Sequence, residues 1–363
     1  MKQSGKIQTQ GIKYAGSKLK IIPYIIKEIR TLKGVSTVLD GFSGTTRVSQ
    51  AFAQMGYQTT SNDIAIWSEV FATCYLIANK PKAYYQTIMD ELNALKGFDG
   101  WFTEHYGGDE AAQKKPFQRK NTQKLDAIRH AIDQMQLSWE DKSVVLTALI
   151  LALDKVDSTI GHYAAYLSKW SKRSYNDLKL EVPMRFNLQT KNRVMKGDVF
   201  DAIRTNFYDF AYLDPPYGSN NEKMPSSRVR YQSYYHLWTS VILNDETAVF
   251  GKANRREDTR DNQAVSVFEE FKKNEDDNFI ALEALKKLLQ EVQAKYVMLS
   301  YSSGGKASKE ELHTIISSSG KLLKAIEIDY KRNVMADMRW THEWVNSDGA
   351  HQEYLFLMEK GGV

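Results

Sequence analysis

The alternation of strand and helix signals in residues 35–60 constrains the fold more than any other feature of this sequence. An apolar strand is predicted at 35–39, and after a glycine-bearing loop a helix is predicted at 45–55, where Gly56 ends it. A second short strand is predicted at 57–60. A strand, a loop, a helix and a strand within about 30 residues form the βαβ unit of a parallel sheet. We therefore predict an α/β fold.

The remainder of the chain divides into two zones. Residues 65–190 are predicted to be mainly helical, with a buried helix at 143–153. After them strands and helices alternate again, with strands predicted at 210–213, 296–301, 323–328 and 353–358 and helices at 279–293 and 310–316. A helix is also predicted at 21–29, with Pro23 in its first turn. A doubly wound sheet with a helical insertion accounts for this order, with residues 1–64 and 191–363 as one domain and residues 65–190 as the insertion.

The composition is globular and excludes several kinds of chemistry. Hydrophobic residues make up 42% of the chain and charged residues 26%, so a sizeable core can form. The net charge of +5 permits an anionic partner without requiring one. The single cysteine, Cys74, excludes an internal disulfide framework and a cysteine-rich metal cluster. The seven histidines show no ligand spacing, so no metal site is predicted.

No segment predicts insertion into a membrane or export. The longest apolar run, residues 144–153, is about half of the ~20 residues that a membrane-spanning helix needs. The first six residues are polar and contain no apolar signal core. We therefore expect a soluble intracellular protein.

The first loop that can bind a ligand is Asp40-Gly41-Phe42-Ser43-Gly44, between a predicted strand and a predicted helix. Asp63 follows 19 residues after Gly44, where a carboxylate can accept hydrogen bonds from ribose hydroxyls. Asp40 could also hold a cationic group such as an α-ammonium. The loop lacks the glycine spacing typical of NAD-binding proteins, and such turns also occur for geometric reasons alone. A nucleotide-like ligand and a plain turn both stay open at this point.

The second loop, Asp214-Pro215-Pro216-Tyr217, is more specific. It directly follows the apolar strand at 210–213, so it lies at the carboxyl end of a sheet strand, where ligands of open α/β sheets bind. Two prolines stiffen the loop and leave carbonyl oxygens as fixed acceptors. A carboxylate and a rigid carbonyl suit the two N–H bonds of an exocyclic amine, and a tyrosine ring can stack on a base.

Together with four other segments, these loops resemble the class alpha DNA adenine-N6 methyltransferases, of the DNA adenine methylase type. The other segments are Lys13-Tyr14-Ala15-Gly16-Ser17-Lys18, Asn62-Asp63, Gly197-Asp198-Val199-Phe200 and Ser300-Tyr301. They occur in the family's order and span nearly the whole chain. The first loop departs from the family pattern, because Thr45 and Thr46 stand where small residues are common.

The resemblance implies a Rossmann-like, S-adenosylmethionine-dependent methyltransferase sheet, with the insertion as a helical target-recognition domain. It implies that Asp214, Pro215, Pro216 and Tyr217 act on a flipped-out adenine in duplex DNA. The cofactor-binding residues that it implies are Tyr14, Lys18, Asp40, Phe42, Ser43, Gly44, Asp63, Asp198 and Val199. It also implies a cytoplasmic enzyme, bacterial or phage-encoded, with one of two roles: restriction–modification, with a cognate restriction endonuclease as partner, or regulation. These two roles both stay open.

Basic and aromatic residues near the insertion and after Tyr217 are the candidates for DNA contact. They are Lys114, Lys115, Arg119, Lys120, Lys172, Arg173, Arg228, Arg230, Tyr231, Lys331 and Arg332. Two stretches, residues 154–170 and 230–238, also resemble a subgroup of the same methyltransferases. The first of them could line the pocket for the target base or approach DNA from the insertion. Alternatively, its Tyr166 and Trp170 could be core residues at helical spacing.

Three alternatives stay open for the reaction. The same chemistry could act on cytosine N4 in DNA or on adenine in RNA, although Asp214 resembles the adenine enzymes, since serine is common in the cytosine enzymes. A DNA-binding protein could also retain the fold without turnover. Intact Tyr14, Lys18, Asp63, Asp214 and Tyr217 argue against that third interpretation.

Overall fold

The structure is a computed structural model that describes residues 7–111, 116–167, 169–218, 230–260, 265–270, 272–330 and 351–361. Among these residues, the α-helices are α1 (Ile22–Ile29), α2 (Arg47–Gln54), α3 (Ile66–Ala72), α4 (Lys82–Ala94), α5 (Trp101–Tyr106), α6 (Arg119–Gln134), α7 (Trp139–Val156), α8 (Val199–Thr205), α9 (Tyr231–Tyr234), α10 (His236–Leu243), α11 (Ile280–Glu291) and α12 (Lys309–Ser319). The strands are β1 (Thr37–Asp40), β2 (Gln58–Asp63), β3 (Gly107–Gly108), β4 (Phe117–Gln118), β5 (Arg193–Lys196), β6 (Tyr208–Leu213), β7 (Val249–Phe250), β8 (Arg255–Arg256), β9 (Ala294–Ser302), β10 (Lys321–Tyr330) and β11 (His351–Glu359).

The chain folds into two compact units. The first, which we call the helical unit, comprises residues 1–22, 43–197 and 231–263. The second, the sheet unit, comprises residues 23–42, 198–230 and 264–363. The predicted insertion at 65–190 falls wholly inside the helical unit and contains α3 to α7. The domain boundaries at 64 and 190, and the assignment of the insertion to target recognition, stay predictions.

The sheet unit contains strands in the order β10-β11-β9-β6-β1. Strand β6 runs parallel to both β1 and β9, with Tyr212 opposite Asp40 and Leu213 opposite Leu299. The last strand, β11, lies between β9 and β10 and is antiparallel to both. Strand β6 is apolar and almost wholly buried, as expected of a parallel strand that is covered on both faces. The predicted α/β, Rossmann-like class is confirmed.

The helical unit is organised around α7. This helix begins at Ser138, whose side chain accepts a hydrogen bond from the N–H of Asp141. Its apolar residues are buried on nearly every side, because α3, α4, α6 and α10 all pack against it. The unit also contains β2, which pairs in parallel with β5 so that Asp63 lies opposite Lys196. The core of this unit is therefore formed mainly by helices, and the described part of the unit also contains two parallel strand pairs, β2 with β5 and the short β3 with β4.

The predicted elements are confirmed, with small shifts at their ends. The predicted helix at 143–153 extends in both directions to become α7, and the strand predicted at 57–60 continues to Asp63. Several elements were not predicted, namely β5, α8, α9, α10 and the two-residue strands β3, β4, β7 and β8. Strand β5 has the sequence Arg-Val-Met-Lys, in which two half-buried apolar residues lie between exposed charged ends, so it shows no apolar run.

Candidate active site

In the sheet unit, the first candidate loop begins at the carboxyl end of β1. Asp40 is only 1% exposed there, and the N–H of Gly41 donates to the carbonyl of Tyr212 on β6 (3.0 Å). A β-carbon on Gly41 would lie 2.8 Å from a methyl of Leu213 and 3.2 Å from one of Val199. Glycine at this position therefore lets β1, β6 and the start of α8 approach one another closely.

Aromatic packing and a helix cap fix the neighbouring residues of the sheet unit. The ring of Phe42 meets Phe268 edge-on at 5.2 Å, and Phe268 stacks on Phe200 at 6.0 Å. Asp198 caps α8, because its carboxylate accepts the N–H of Phe200 (2.8 Å). Val199 is buried. Phe42, Asp198 and Val199 are thus held in place by contacts within this unit.

In the helical unit, hydrogen bonds from backbone N–H groups link the turn at Ser43 and Gly44 to Asn62 and Asp63. The N–H of Ser43 donates to the carbonyl of Asn62 (2.9 Å). One carboxylate oxygen of Asp63 accepts the N–H of Gly44 (2.8 Å), and the other accepts the N–H of Ala65 (2.9 Å). Burial raises the pKa of Asp63, and these two hydrogen bonds oppose that shift. A carboxylate has about four acceptor positions, so Asp63 can accept further hydrogen bonds.

The turn into α2 is strained. Gly44 has φ 50°, and Thr46 has φ 61° while its N–H donates to the carbonyl of Ser43 (2.6 Å). A left-handed conformation costs about 1–2 kcal/mol for a residue with a β-carbon, and threonine is β-branched. The departure from the family pattern at Thr46 therefore coincides with backbone strain, and such strain often marks a functional loop.

Tyr14 lies against this turn and at the end of a stack of aromatic rings. A β-carbon on Gly44 would be 3.2 Å from the Tyr14 ring. Tyr14 stacks on Tyr235 at 4.5 Å, and Tyr235 stacks on Trp238 at 4.4 Å. Tyr231 stacks on the Tyr14 ring at 5.3 Å. Burial raises the pKa of Tyr14 well above its usual value, and nearby Asp63 raises it further, so the hydroxyl stays protonated.

The rest of this N-terminal motif is held by residues far away in the sequence. The N–H of Ala15 donates to the hydroxyl of Tyr235 (2.6 Å). The ammonium of Lys13 contacts Asp154 (3.4 Å) and Asp157 (2.8 Å), and the guanidinium of Arg173 also pairs with Asp157 (2.6 Å). Lys18 is 6% exposed, in a short 3₁₀-helix that ends at Lys20. These contacts are all within the helical unit.

The catalytic candidates follow β6 in the sheet unit, as predicted. Asp214 and Tyr217 are half-buried, whereas Pro215 is buried. The carbonyl of Tyr217 accepts the N–H of Lys306 (2.9 Å), and the Tyr217 ring lies 5.3 Å from the Tyr301 ring at an angle of 56°. Since β6 is parallel to its neighbour β1, the loops after Asp40 and Leu213 emerge at the same edge of the sheet.

The candidate DNA contacts have different environments. Arg119 pairs with Asp99, Lys120 with Asp177 and Arg173 with Asp157, so each of these cations has an acidic neighbour. Lys172 is exposed, Arg230 is 7% exposed, and Tyr231 belongs to the Tyr14 stack. The remaining candidates, Lys114, Lys115, Arg228, Lys331 and Arg332, lie outside the described residues.

Both of the additional resembling stretches contribute to the interior of the helical unit. From residues 154–170, Tyr163 is buried and the hydroxyl of Tyr166 donates to the carbonyl of Ala253. From residues 230–238, Tyr235 and Trp238 form the stack beneath Tyr14. His162 joins the two stretches, because its ring stacks on Tyr234 at 4.3 Å. Tyr163, Tyr235 and Trp238 are core residues, but Tyr166 and Trp170 are half-buried and lie outside the helices, so their interpretation as core residues at helical spacing is not supported.

Metal ligation and membrane insertion find no structural counterpart in the described part of the chain. No group of three or more His, Cys, Asp or Glu residues in it is placed to hold a metal ion. Among the same residues, every helix is too short or too polar to cross a membrane.

Sequence reasoning did not identify several residues that support the candidate loops. Lys13 is separated from Asp154 and Asp157 by more than 140 positions along the chain, so no local pattern connects it to them. Gly305 and Lys306 were also missed. Their signal was a pair of glycines, Gly304 and Gly305, that begins three residues after the predicted strand at 296–301, at an edge where ligands of parallel sheets bind.

Comparison with known proteins gives a consistent result. The family model for the D12 class N6 adenine-specific DNA methyltransferase matches residues 14–334. The Type II methyltransferase M.NlaIII of Neisseria lactamica is 26% identical over 361 residues, which cover 96% of this chain and 99% of that protein. Modification methylase StsI of Streptococcus sanguinis is 27% identical over 325 residues (84% of this chain, 46% of that protein). M.FokI of Planomicrobium okeanokoites is 24% identical over 369 residues (96% and 53%). The chain thus spans about half the length of the last two relatives.

Proposed function

This chain belongs to the D12 class of N6 adenine-specific DNA methyltransferases, and we propose that Asp214, Pro215, Pro216 and Tyr217 carry its reaction. The reaction is site-specific methylation of adenine N6 in DNA. The proposal adds which residues bind the cofactor, which act on the adenine, and which contact DNA.

The observation that carries the proposal is the placement of two loops in the sheet unit. Asp40 ends β1 and Leu213 ends the adjacent parallel strand β6, so the first cofactor loop and the catalytic motif leave the same sheet edge. A hydrogen bond from Gly41 to Tyr212 fixes the two loops relative to each other. A methyl donor and an amine that react must be held together in this way.

The cofactor we propose is S-adenosylmethionine, which supplies an electrophilic methyl group on a sulfonium. The residues that would hold it are Tyr14, Lys18, Asp40, Phe42, Ser43, Gly44, Asp63, Asp198 and Val199. Asp63 fits a ribose, because its carboxylate retains acceptor positions after it has bound Gly44 and Ala65. The buried carboxylate of Asp40 fits the α-ammonium.

Asp214 and the Pro215 carbonyl would accept hydrogen bonds from the two N–H bonds of the adenine amine. These bonds favour a tetrahedral nitrogen whose lone pair is directed at the methyl group. The Asp214 carboxylate stabilises the positive charge that develops on nitrogen. Tyr217 would stack on the adenine, which must leave the duplex at a cost of a few kcal/mol.

Double-stranded DNA is the proposed partner, and residues 65–190 are the proposed target-recognition domain. Among the candidate contacts that the structure describes, Lys172 is exposed and free to reach a phosphate without leaving an acidic partner, whereas Arg119, Lys120 and Arg173 would first have to leave theirs. We also propose that the enzyme is cytoplasmic, bacterial or phage-encoded, and that it protects DNA from a cognate restriction endonuclease.

The test is transfer of label from radioactive S-adenosylmethionine to unmethylated duplex DNA, followed by nucleoside analysis. We expect label in N6-methyldeoxyadenosine, and Asp214→Ala should lower the rate at least about 100-fold. Asp276→Ala is the matched control, since Asp276 is exposed in the same unit. Label in N4-methyldeoxycytidine would contradict the proposal, as would full activity of Asp214→Ala, or a parallel reaction in which RNA is labelled and DNA is not. DNA and cofactor binding without transfer would favour a non-catalytic role.

A further inference from the structure

The backbone of Tyr217 is held by residues that follow β9. The carbonyl of Tyr217 accepts the N–H of Lys306 at 2.9 Å. The hydroxyl of Tyr301 lies 3.5 Å from the same carbonyl and accepts the N–H of Ala307 (3.2 Å). Because that hydroxyl accepts from Ala307, its own hydrogen is available to the Tyr217 carbonyl. Both contacts act on one carbonyl group and restrict the peptide plane after Tyr217.

Gly305 packs so closely against Tyr217 and Tyr301 that a side chain at position 305 would have no room. A β-carbon at position 305 would lie 2.9 Å from the β-carbon of Tyr217 and would overlap the ring of Tyr301. Gly305 does not have a positive φ, so its backbone is one that alanine also adopts. The requirement for glycine here is close packing rather than backbone conformation.

The loop that carries Gly305 is itself attached to the sheet. The N–H of Ser303 donates to the carbonyl of Gln352 on β11 (2.9 Å), and the N–H of Gln352 donates to the hydroxyl of Ser303 (3.0 Å). The N–H of Gly305 closes a turn onto the carbonyl of Ser302 (2.9 Å). The ammonium of Lys306 also donates to the carbonyl of Glu270 (2.7 Å). These hydrogen bonds hold the loop in a fixed position relative to the sheet, so the loop can hold Tyr217 in a fixed position as well.

We propose that Gly305 and the backbone N–H of Lys306 are positioning residues, which set the Tyr217 ring at the place where it stacks on the target adenine. This inference rests on the proposed function, because it assigns stacking to Tyr217. It adds that the stacking geometry is determined by packing against residues 301–306. The adenine would be correctly aligned only while position 305 has no side chain.

The first experiment compares Gly305→Ala with the wild-type enzyme and with Gly361→Ala. Position 361 has open space around its added β-carbon, so Gly361→Ala matches the chemical change without the overlap. We expect kcat of Gly305→Ala to fall about 10- to 100-fold, as a misplacement near 1 Å can cause, with KM for S-adenosylmethionine within about twofold. Wild-type kcat in Gly305→Ala would overturn the proposal.

Stacking on the target base is measured by the fluorescence of 2-aminopurine, which replaces the target adenine in the methylation site. The site itself is first mapped by sequencing methylated plasmid DNA. Gly305→Ala should change the fluorescence of bound 2-aminopurine relative to wild type, while DNA affinity by fluorescence anisotropy is retained. A purely structural role for Gly305 would lower the melting temperature and DNA affinity without this selective change. An unchanged fluorescence signal would also overturn the proposal.

Tyr301→Phe provides a second test of the proposal if Gly305→Ala does not fold. It retains the ring beside Gly305 and removes the hydroxyl that bridges Ala307 and Tyr217. We expect kcat to fall about three- to tenfold with unchanged cofactor KM, because the Tyr217 carbonyl loses its hydrogen bond from this hydroxyl and the N–H of Ala307 loses its acceptor. No change in kcat or in the 2-aminopurine signal would overturn the proposal. Failure of the proposed function is distinguishable, because the wild-type enzyme would then not label adenine at all.

Discussion

The N-terminal motif, residues 13–18, and the catalytic loop, residues 214–218, are held in place by different means. In the helical unit, the N-terminal motif depends on side chains, since Lys13 is bound by Asp154 and Asp157, and Ala15 by the hydroxyl of Tyr235. In the sheet unit, the catalytic loop depends mostly on backbone hydrogen bonds and on the absence of a side chain at position 305. The carbonyl of Tyr217 binds the N–H of Lys306, and glycine is required at 305.

Because the two regions are held by different groups, different substitutions are expected to disturb them. A motif held by side chains loses its support when any of several distant residues changes. A loop held by backbone groups tolerates most side-chain changes, except those that add atoms at Gly305 or remove the Tyr301 hydroxyl. The following substitutions test the two kinds of support against each other.

The largest effect is expected from Trp238→Ala in the helical unit. Trp238 is 1% exposed and lies under Tyr235 in the stack that ends at Tyr14. We expect the free energy of unfolding in urea to fall by about 3–5 kcal/mol, from lost burial and the cavity that remains. Trp139→Ala is the matched control, because Trp139 is 40% exposed. A loss as small as that of the control would show that the stack contributes little support.

A pH-dependent effect is expected at Asp154, whose side chain is 17% exposed. Burial raises its pKa to about 6, Lys13 opposes the shift, and Asp157 adds to it. An unfolded aspartate titrates near pH 4, so wild-type stability should fall as the pH rises from about 4 to about 6, while the unfolded chain releases its proton first.

Asp154→Asn should remove that fall, because asparagine does not titrate and Lys13 keeps its bond to the residue 154 carbonyl (2.7 Å). Between pH 4 and pH 7 the variant should gain up to about 3 kcal/mol relative to wild type in urea unfolding. The exposed Asp276→Asn serves as the control. A difference between variant and wild type that is the same at both pH values would refute the role of Asp154.

A smaller effect is expected from Tyr235→Phe, which leaves the ring stack intact. The change removes the hydroxyl that accepts the buried N–H of Ala15 (2.6 Å). An unsatisfied buried N–H costs about 1–3 kcal/mol, so we expect a loss of stability in that range and weaker S-adenosylmethionine binding by calorimetry. Unchanged cofactor affinity would show that the position of residues 13–18 does not depend on this bond.

Much of the fold could be predicted because its signals are local. Residues 210–213 of strand β6 are a continuous apolar run followed directly by Asp214-Pro215-Pro216-Tyr217. Both the strand and the position of this motif at its carboxyl end follow from those residues. Strand β5 was missed because a four-residue strand with charged ends contains too few apolar positions to show a period.

The supports of the candidate site could not be predicted in the same way. Ala15 and Tyr235 are separated by 220 positions, and no local pattern encodes a contact across that distance. The need for glycine at 305 depends on where Tyr217 and Tyr301 lie, which only the folded structure shows. Site residues within a motif were therefore accessible to sequence reasoning, whereas the residues that hold them were not.

The smallest effect is expected from Lys306→Met, the change that most directly tests the backbone support of the catalytic loop. The variant loses the ammonium contact to the Glu270 carbonyl but keeps the N–H that binds Tyr217. We therefore expect kcat within about threefold of wild type.

Burial lowers the pKa of Lys306 to about 8, so a required ammonium would make the wild-type rate fall above pH 8. We expect instead the same pH–rate profile for both proteins between pH 7 and pH 9. A loss of tenfold or more in Lys306→Met would mean that a side chain also holds this loop, and the contrast between the two regions would then not hold.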